Sequence, residues 1–457
     1  MPVTQLQSHR TSRPRRSSIR HRRHVGLENL EPRNLMSATW NTIDTFQLAA
    51  SGAAYVKALT VDAQGNQYAV GYAKDSAGVQ HGIVRQSLAG SGTWNTIYDS
   101  TTISQFWGLA LDAQGDLFVC GRSTAGPACV YERPAGSTQF SQVEKTSGTG
   151  QYYAMTSDTA GNVYVVGVNT VSTRNNSESH WIVEKWTPST AKFQTVDDFT
   201  AGMPTSNRSA RGISVVPTGP AAGLYVVGES VNSGSGGLVH WTVRKGTLDA
   251  SSWSTVDDFL YDSMSSSSAY GVAGDSIGNV YVVGMSNTTI ITGYKGKTPL
   301  YAGGPSHWIV RKSASGNLGT WGIIDDQAPA NSSSNVAYAV TADALGNVHV
   351  AGSAFDGTLN HSIVRTLSAG TWTTVDDFTD AGSYALTVDS SGALYTGGAV
   401  RVVAGGPVVW CLRSNAAVPS IPAPLTSSLQ LTAIPTLSTT TSTRTHQSIK
   451  PLSTLRS

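Results

Sequence analysis

The sequence predicts an all-β fold, a seven-bladed β-propeller of four-stranded antiparallel blades, and three observations carry that prediction. A motif close to D-x-x-G-N-V-Y-V-V-G recurs along the chain. Each recurrence brings the same four β-type segments. The two ends of the repeated region supply complementary parts of one blade.

Aligned on its closing glycine, the motif falls at Gly71, Gly121, Gly167, Gly228, Gly284, Gly352 and Gly398, so seven units are present. The first segment reads like AYAVTAD (337–343) and the second like GNVYVVG (161–167). The third is HWIVRKS (307–313), echoed as HGIVRQS, HWIVEKW, HWTVRKG and HSIVRTL. The fourth is TWTTVDDF (371–378), echoed as TWNTIDTF, SWSTVDDF and KFQTVDDF. β-branched and aromatic residues bounded by Gly, Ser, Asn and Asp are strand signals, and four in succession make a meander. A lone meander cannot bury both faces, whereas seven packed radially can. Apolar runs such as VYVV suit inner strands covered on both sides. The alternating TWTTV suits an outer strand.

The repeated region begins with a fourth-type segment (39–46) and ends with a third-type one, VVWCLRS (408–414). The N-terminal strand is therefore expected to complete the last blade, which removes the open sheet edges that invite association. Three domains follow: a basic arm (1–37), the propeller (38–414) and a Ser/Thr/Pro-rich tail (415–457) with no helix or strand period. The arm holds eight Arg against Glu28 and Glu31, and the tail carries three cations and no acid. The whole chain is at +2, so about −7 remains for the body. No run of about 18 apolar residues suggests a membrane-spanning helix.

Within the repeats, Asp62, Asp112, Asp158, Asp275, Asp343 and Asp389 stand three residues before the turn glycine. Asp there can accept from the backbone N–H groups of the turn, a hairpin role; a Ca²⁺ ligand is the alternative. The fourth unit has VPTGPAAGLYVVG, which leaves its first turn open. His81, His180, His240, His307 and His361 open third segments, one per blade, and are expected to make structural hydrogen bonds rather than share a metal. Eight of the eleven Trp fall at equivalent strand positions and read as packing between blades (Trp40, Trp94, Trp253, Trp321 and Trp372; Trp181, Trp241 and Trp308).

Connections between second and third strands and between fourth and first strands share one face, and they vary in length. The longest, 285–306, carries Tyr294, Lys295 and Lys297. The same face receives the acidic pairs Asp197–Asp198, Asp257–Asp258, Asp325–Asp326 and Asp376–Asp377. These pairs either bind cations or basic partners, or cap tight turns in solvent. Cys120 and Cys129 flank a short hairpin and are expected to be cross-strand neighbours able to form a disulfide, leaving Cys411 unpaired.

The repeat, seen in DSIGNVYVVGMS and DTAGNVYVVGVN, resembles the SBBP-type bacterial β-propeller repeat and is similar to the NHL repeat, which usually ends in Asp where this one ends in Gly. The resemblance covers about 375 residues and implies exported or surface propellers. LENLEPRNLMSA (27–38) resembles the LEPR-type segment of exported planctomycete proteins, which implies processing of the arm rather than nucleic-acid binding. No linear catalytic motif is present. The expectation is a non-enzymatic, monomeric scaffold at the cell surface that binds a protein or glycan without a cofactor. The alternative is a hydrolase or lyase acting on polysaccharide or lactone with a metal in the central channel.

Overall fold

The structure is a computed structural model that describes residues 39–416 except 173–176, 201–208, 232–236, 329–331 and 333. What the sequence suggests for the arm (1–37), and for the tail after residue 416, concerns residues outside that set.

The described residues form seven four-stranded antiparallel sheets. Each first strand packs against the first strands of both neighbours, so the seven close a ring around a channel. Asn41–Phe46 pairs with Val408–Ser414, Thr45 opposite Cys411, and completes blade 7. The seven-bladed propeller and its closure are thus as the sequence predicts. Among the described residues no helix is long and apolar enough to cross a membrane.

The motif builds the turn between first and second strands. Asp62 Oδ1 accepts from the backbone N–H of Gln64 and Asn66, while Oδ2 accepts from Asn66 Nδ2 and the Tyr68 hydroxyl. Asp158 and Asp275 repeat all four bonds. In blade 6, His349 takes the tyrosine's place and reaches Asp343 Oδ2 at 3.3 Å. In blade 2, Phe118 stands there with no hydroxyl to give. Asp112 Oδ2 is left buried without a partner, and burial raises its carboxyl pKa. Blade 4 turns without the aspartate: Gly219 adopts φ +85° and the Tyr225 hydroxyl donates to the Ala221 carbonyl.

The closing glycine answers to a β-bulge. In blade 1, Val56 faces Gly71 and Ala58 faces Val70, so Lys57 has no partner across the ladder. A Cβ on Gly71 would collide with the Tyr55 carbonyl oxygen and sit 2.9 Å from the Trp410 ring of blade 7. All seven first strands bulge at this position. The buried indoles of Trp241 and Trp308 fill the same place against Gly284 and Gly352 of the next blade. The expected packing of third-strand tryptophans between blades takes this form.

Charged clasps join most blades. A third-strand Arg forks onto the outer-strand Asp of the preceding blade: Arg85 to Asp44, Arg244 to Asp197, Arg311 to Asp257, Arg365 to Asp325 and Arg413 to Asp376. Four of these guanidiniums also lie 3.9–4.4 Å from the ring centroid of the phenylalanine two residues after that Asp. At the two remaining seams both members change together. Between blades 1 and 2, Tyr98 and Tyr131 stand 5.9 Å apart within an aromatic cluster. Between blades 2 and 3 the two positions hold Glu144 and Glu184. Burial, with Glu144 adding to it, lifts Glu184 to about 7, opposed by hydrogen bonds from Tyr152 and Thr195.

Two sequence expectations need correction. The 285–306 connection is no open loop. It extends the blade 5 ladder, as Val280–Lys295 and Thr298–Ser313 pair to a tip beside Gly296. Cys120 and Cys129 are not cross-strand neighbours. The turn through Gly126 pairs Gly121 with Cys129 and Cys120 with Val130, which sends the two thiols to opposite faces of the sheet. All three cysteines are free and buried, and Cys411 lies on the third strand of blade 7.

Two outcomes test these seams. Asp257→Ala strands the buried Arg311 charge and should cost about 3–5 kcal/mol, with Asp257→Ala/Arg311→Met costing less than the sum of the two single changes; urea midpoints of the four proteins check it. Glu184 holds its proton in the fold at pH values where the unfolded chain has lost it. Its contribution is therefore full below pH 4.5 and lost as pH rises to about 7. Glu184→Gln should then gain about 2–3 kcal/mol on wild type at pH 8 relative to pH 4; parallel melts at the two pH values measure it.

Candidate functional site in the central channel

Each first-strand bulge turns its extra residue into the channel. The seven positions carry Lys57, Trp107, Tyr153, Arg211, Tyr270, Tyr338 and Tyr384, which together line a cavity of about 350 Å³. The next residue on each strand is Gly or Ala, where neighbouring backbones come close; a Cβ on Gly108 would lie 2.9 Å from Ala154 Cα. Beyond these small residues, Leu59, Leu109, Met155, Ile213, Val272, Val340 and Leu386 line a second, apolar tier.

Lys57 is the unusual member. Its Nζ lies 4.1 Å from the Tyr384 ring centroid, 4.5 Å from Trp107, 5.1 Å from Tyr55 and 5.8 Å from Tyr72. Among the described residues no carboxylate pairs with it. Burial lowers its pKa from 10.5 to about 8. Arg211 is built differently: it bonds Glu229 at 2.6 Å and stacks 4.2 Å over Tyr153. Glu229 in turn accepts from the Ser268 hydroxyl. The aromatic members touch one another, with Trp107–Tyr153, Tyr270–Tyr338 and Tyr338–Tyr384 centroids 5.1–5.5 Å apart.

The acidic pairs singled out in the sequence are engaged within the framework. Asp197, Asp257, Asp325 and Asp376 are buried in the arginine clasps. Asp198, Asp258, Asp326 and Asp377 each accept from Nδ1 of the third-strand histidine of the same blade, at 2.5–2.8 Å. Their side chains stay 32–53% exposed, so one edge of each carboxylate still meets solvent. His81 binds Asp99 in the same way, and the five histidines serve five separate blades. Tyr294, Lys295 and Lys297 stand at the tip of the blade 5 hairpin. Tyr294 is 65% exposed there, near exposed Ile290, Ile291 and Leu300.

Sequence reasoning missed the channel ring. A signal was present: the ring residue stands 14 positions before the closing glycine in six units and 17 before it in blade 4, whose turn is longer.

No family model matches the chain, and no curated protein does. Among solved structures, the WD40 β-propeller domain of Doa1 is similar over 82% of this chain and 96% of its own, at 12% identity and a TM-score of 0.48. An α-L-arabinofuranosidase of Fusarium graminearum is similar over 67% and 91%, at 12% identity and a TM-score of 0.39. YjhT is similar over 72% and 98%, at 11% identity and a TM-score of 0.42. These likenesses concern architecture, and the strand pairing stands independently of them.

The Lys57 ammonium costs the fold stability wherever it is charged in the unfolded chain but desolvated in the native one. The penalty is full below pH about 8 and fades as pH approaches 10.5. With cation–π contacts offsetting part of it, Lys57→Met should raise stability by about 1–3 kcal/mol at pH 7 and by less at pH 10, as thermal melts at the two pH values would show.

Proposed function

We propose that this protein is an exported, non-enzymatic binding propeller that takes a glycan or protein segment into the channel from the face bearing the variable connections. One observation carries the reading. The seven blades share hydrogen-bonded turns, five of them share a histidine–aspartate pair, and five seams share the same clasp. At the bulge they present Lys, Trp, Arg and four Tyr to a common cavity. A framework repeated sevenfold with unlike groups at its centre suits recognition of an asymmetric ligand. The blade 5 hairpin, with Tyr294, Lys295 and Lys297 at its tip, adds contact area at the same face.

The ring's chemistry supports binding over hydrolysis. Glycoside cleavage ordinarily needs two carboxyl groups flanking the bond, and the ring positions offer none; nearby Glu229 is held by Arg211. The LEPR-like segment supports export.

Calorimetric titration with a panel of oligosaccharides and peptides should find a ligand whose affinity falls at least tenfold in Trp107→Ala and in Tyr384→Ala, with no product formed. Turnover of the bound compound, or binding indifferent to both changes, would overturn the channel reading. Cell fractionation with the mass of the mature N-terminus tests export. A cytoplasmic chain that retains Met1 would sink that half.

A further inference from the structure

We infer that the channel ring binds a small organic carboxylate, with the Lys57 ammonium receiving the charge and the Tyr and Trp faces stacking on the ligand's body. The inference rests on the channel reading above and adds the chemical class of the ligand.

The argument begins with charge. Of the two cations in the ring, Arg211 is neutralised by Glu229 at 2.6 Å. Lys57 has no such partner among the described residues, and its contacts are ring faces at 4.1–5.8 Å. An aromatic cage alone would suit a cationic ligand. Here the cage already holds a resident cation, which repels a second one and attracts an anion.

Hydrogen bonding gives the same sign. The buried polar atoms left without a partner on the ring residues are donors, Trp107 Nε1 and Arg211 Nε. Buried donors call for acceptors. A carboxylate brings two acceptor oxygens, and it places one unit of charge against one unpaired ammonium. A phosphate dianion would bring more charge than one lysine meets within apolar walls. The rest of the lining is aromatic, so the ligand's body must offer C–H groups or a π-face, as a uronic acid or an aromatic acid does. The cavity of about 350 Å³ lies at the lower end of the range for small-molecule sites.

Proton linkage gives an independent readout. The titratable groups facing Lys57 are Tyr55, Tyr72 and Tyr384, through their ring faces, with Arg211 elsewhere on the ring and paired to Glu229. Burial raises Tyr72 and Tyr384, so neither ionises near neutrality. The titration that matters between pH 6 and 9 is that of Lys57 itself, near 8. Carboxylate affinity should therefore hold level below pH about 7 and fall about tenfold per unit above 8.

The test is calorimetric titration of the full chain with glucuronate, glucose, benzoate, benzyl alcohol and inorganic phosphate. The expected result is that an acid binds at least tenfold more tightly than its neutral counterpart and more tightly than phosphate, with Lys57→Met reducing that affinity about 10- to 100-fold. Preference for glucuronate assigns a uronic-acid source, and preference for benzoate an aromatic one; both support the inference. Equal affinity for glucose and glucuronate, or a Lys57→Met protein that binds the acid normally, overturns it. If Lys57→Met does not fold, the wild-type pH profile decides, and a flat profile from pH 6 to 9 overturns the inference. A neutral glycan whose binding depends on Trp107 and Tyr384 but not on Lys57 would overturn the carboxylate assignment and leave the channel reading intact. Failure of every ligand, including the glycan and peptide panel, would remove both.

Discussion

The bulge opposite the closing glycine is the constraint on which the rest of this propeller depends. At each bulge the first strand carries one residue more than its neighbour pairs. The displaced carbonyl, that of Tyr55 in blade 1, comes to lie where a Cβ of the facing residue would be. Only glycine leaves that space. The same bare position receives the edge of an indole from the preceding blade at Gly71, Gly284 and Gly352. One missing side chain thus serves two ends: it lets the first strand bend at the channel, and it gives the neighbouring blade a socket. The extra residue is freed from the ladder and turned inward, which makes the ring of channel side chains a by-product of the glycine.

The seams show how tightly paired the other requirements are. A buried guanidinium stranded without its carboxylate is strongly unfavourable, so the two positions must change together or not at all. Five seams keep Arg and Asp. One exchanges both for tyrosine and becomes an aromatic cluster with Phe106 and Phe140. One carries two glutamates, and burial raises both, Glu184 to about 7. Burial also raises Asp257 and Asp325 although Arg311 and Arg365 pull them down. These clasps sit where desolvation and pairing nearly balance. They fix which blade follows which more than they add net stability.

The fold was legible because its determinants are local and repeated. Glycine at the bulge, aspartate at the turn and the split last blade are marked by identity of letters at fixed spacing. The site was not legible by that method because its residues differ from one another. Lys57, Trp107 and Arg211 look like exceptions to a pattern until their common distance from the closing glycine is counted. The DDF segments misled for another reason. Alternation assigns their aspartates to an outer strand, but nothing in one repeat says that Asp257 meets an arginine 54 residues later, in the next blade. The cysteine pair failed on register. Counting positions from each end of a hairpin locates neighbours only when the turn length is known, and the turn through Gly126 places Cys129 beside Gly121, one residue from Cys120.

The contrast between Lys57 and the arginines paired with carboxylates completes the physical picture. Arg85, Arg244, Arg311, Arg365 and Arg413 are each matched by a carboxylate, and Arg211 by Glu229. A chain that neutralises six semi-buried guanidiniums yet leaves one lysine among four rings is not short of means to pair it. Folding would be better served by an apolar residue at position 57, because the ammonium gives up water for ring faces that return only part of the hydration energy. Local choices that oppose stability while the surroundings obey it are where function is to be sought. Trp107, adjoining Lys57 in the ring, leaves its own buried N–H unpaired. The two groups stand side by side on blades 1 and 2, at the level of the channel where the bulges present unlike side chains.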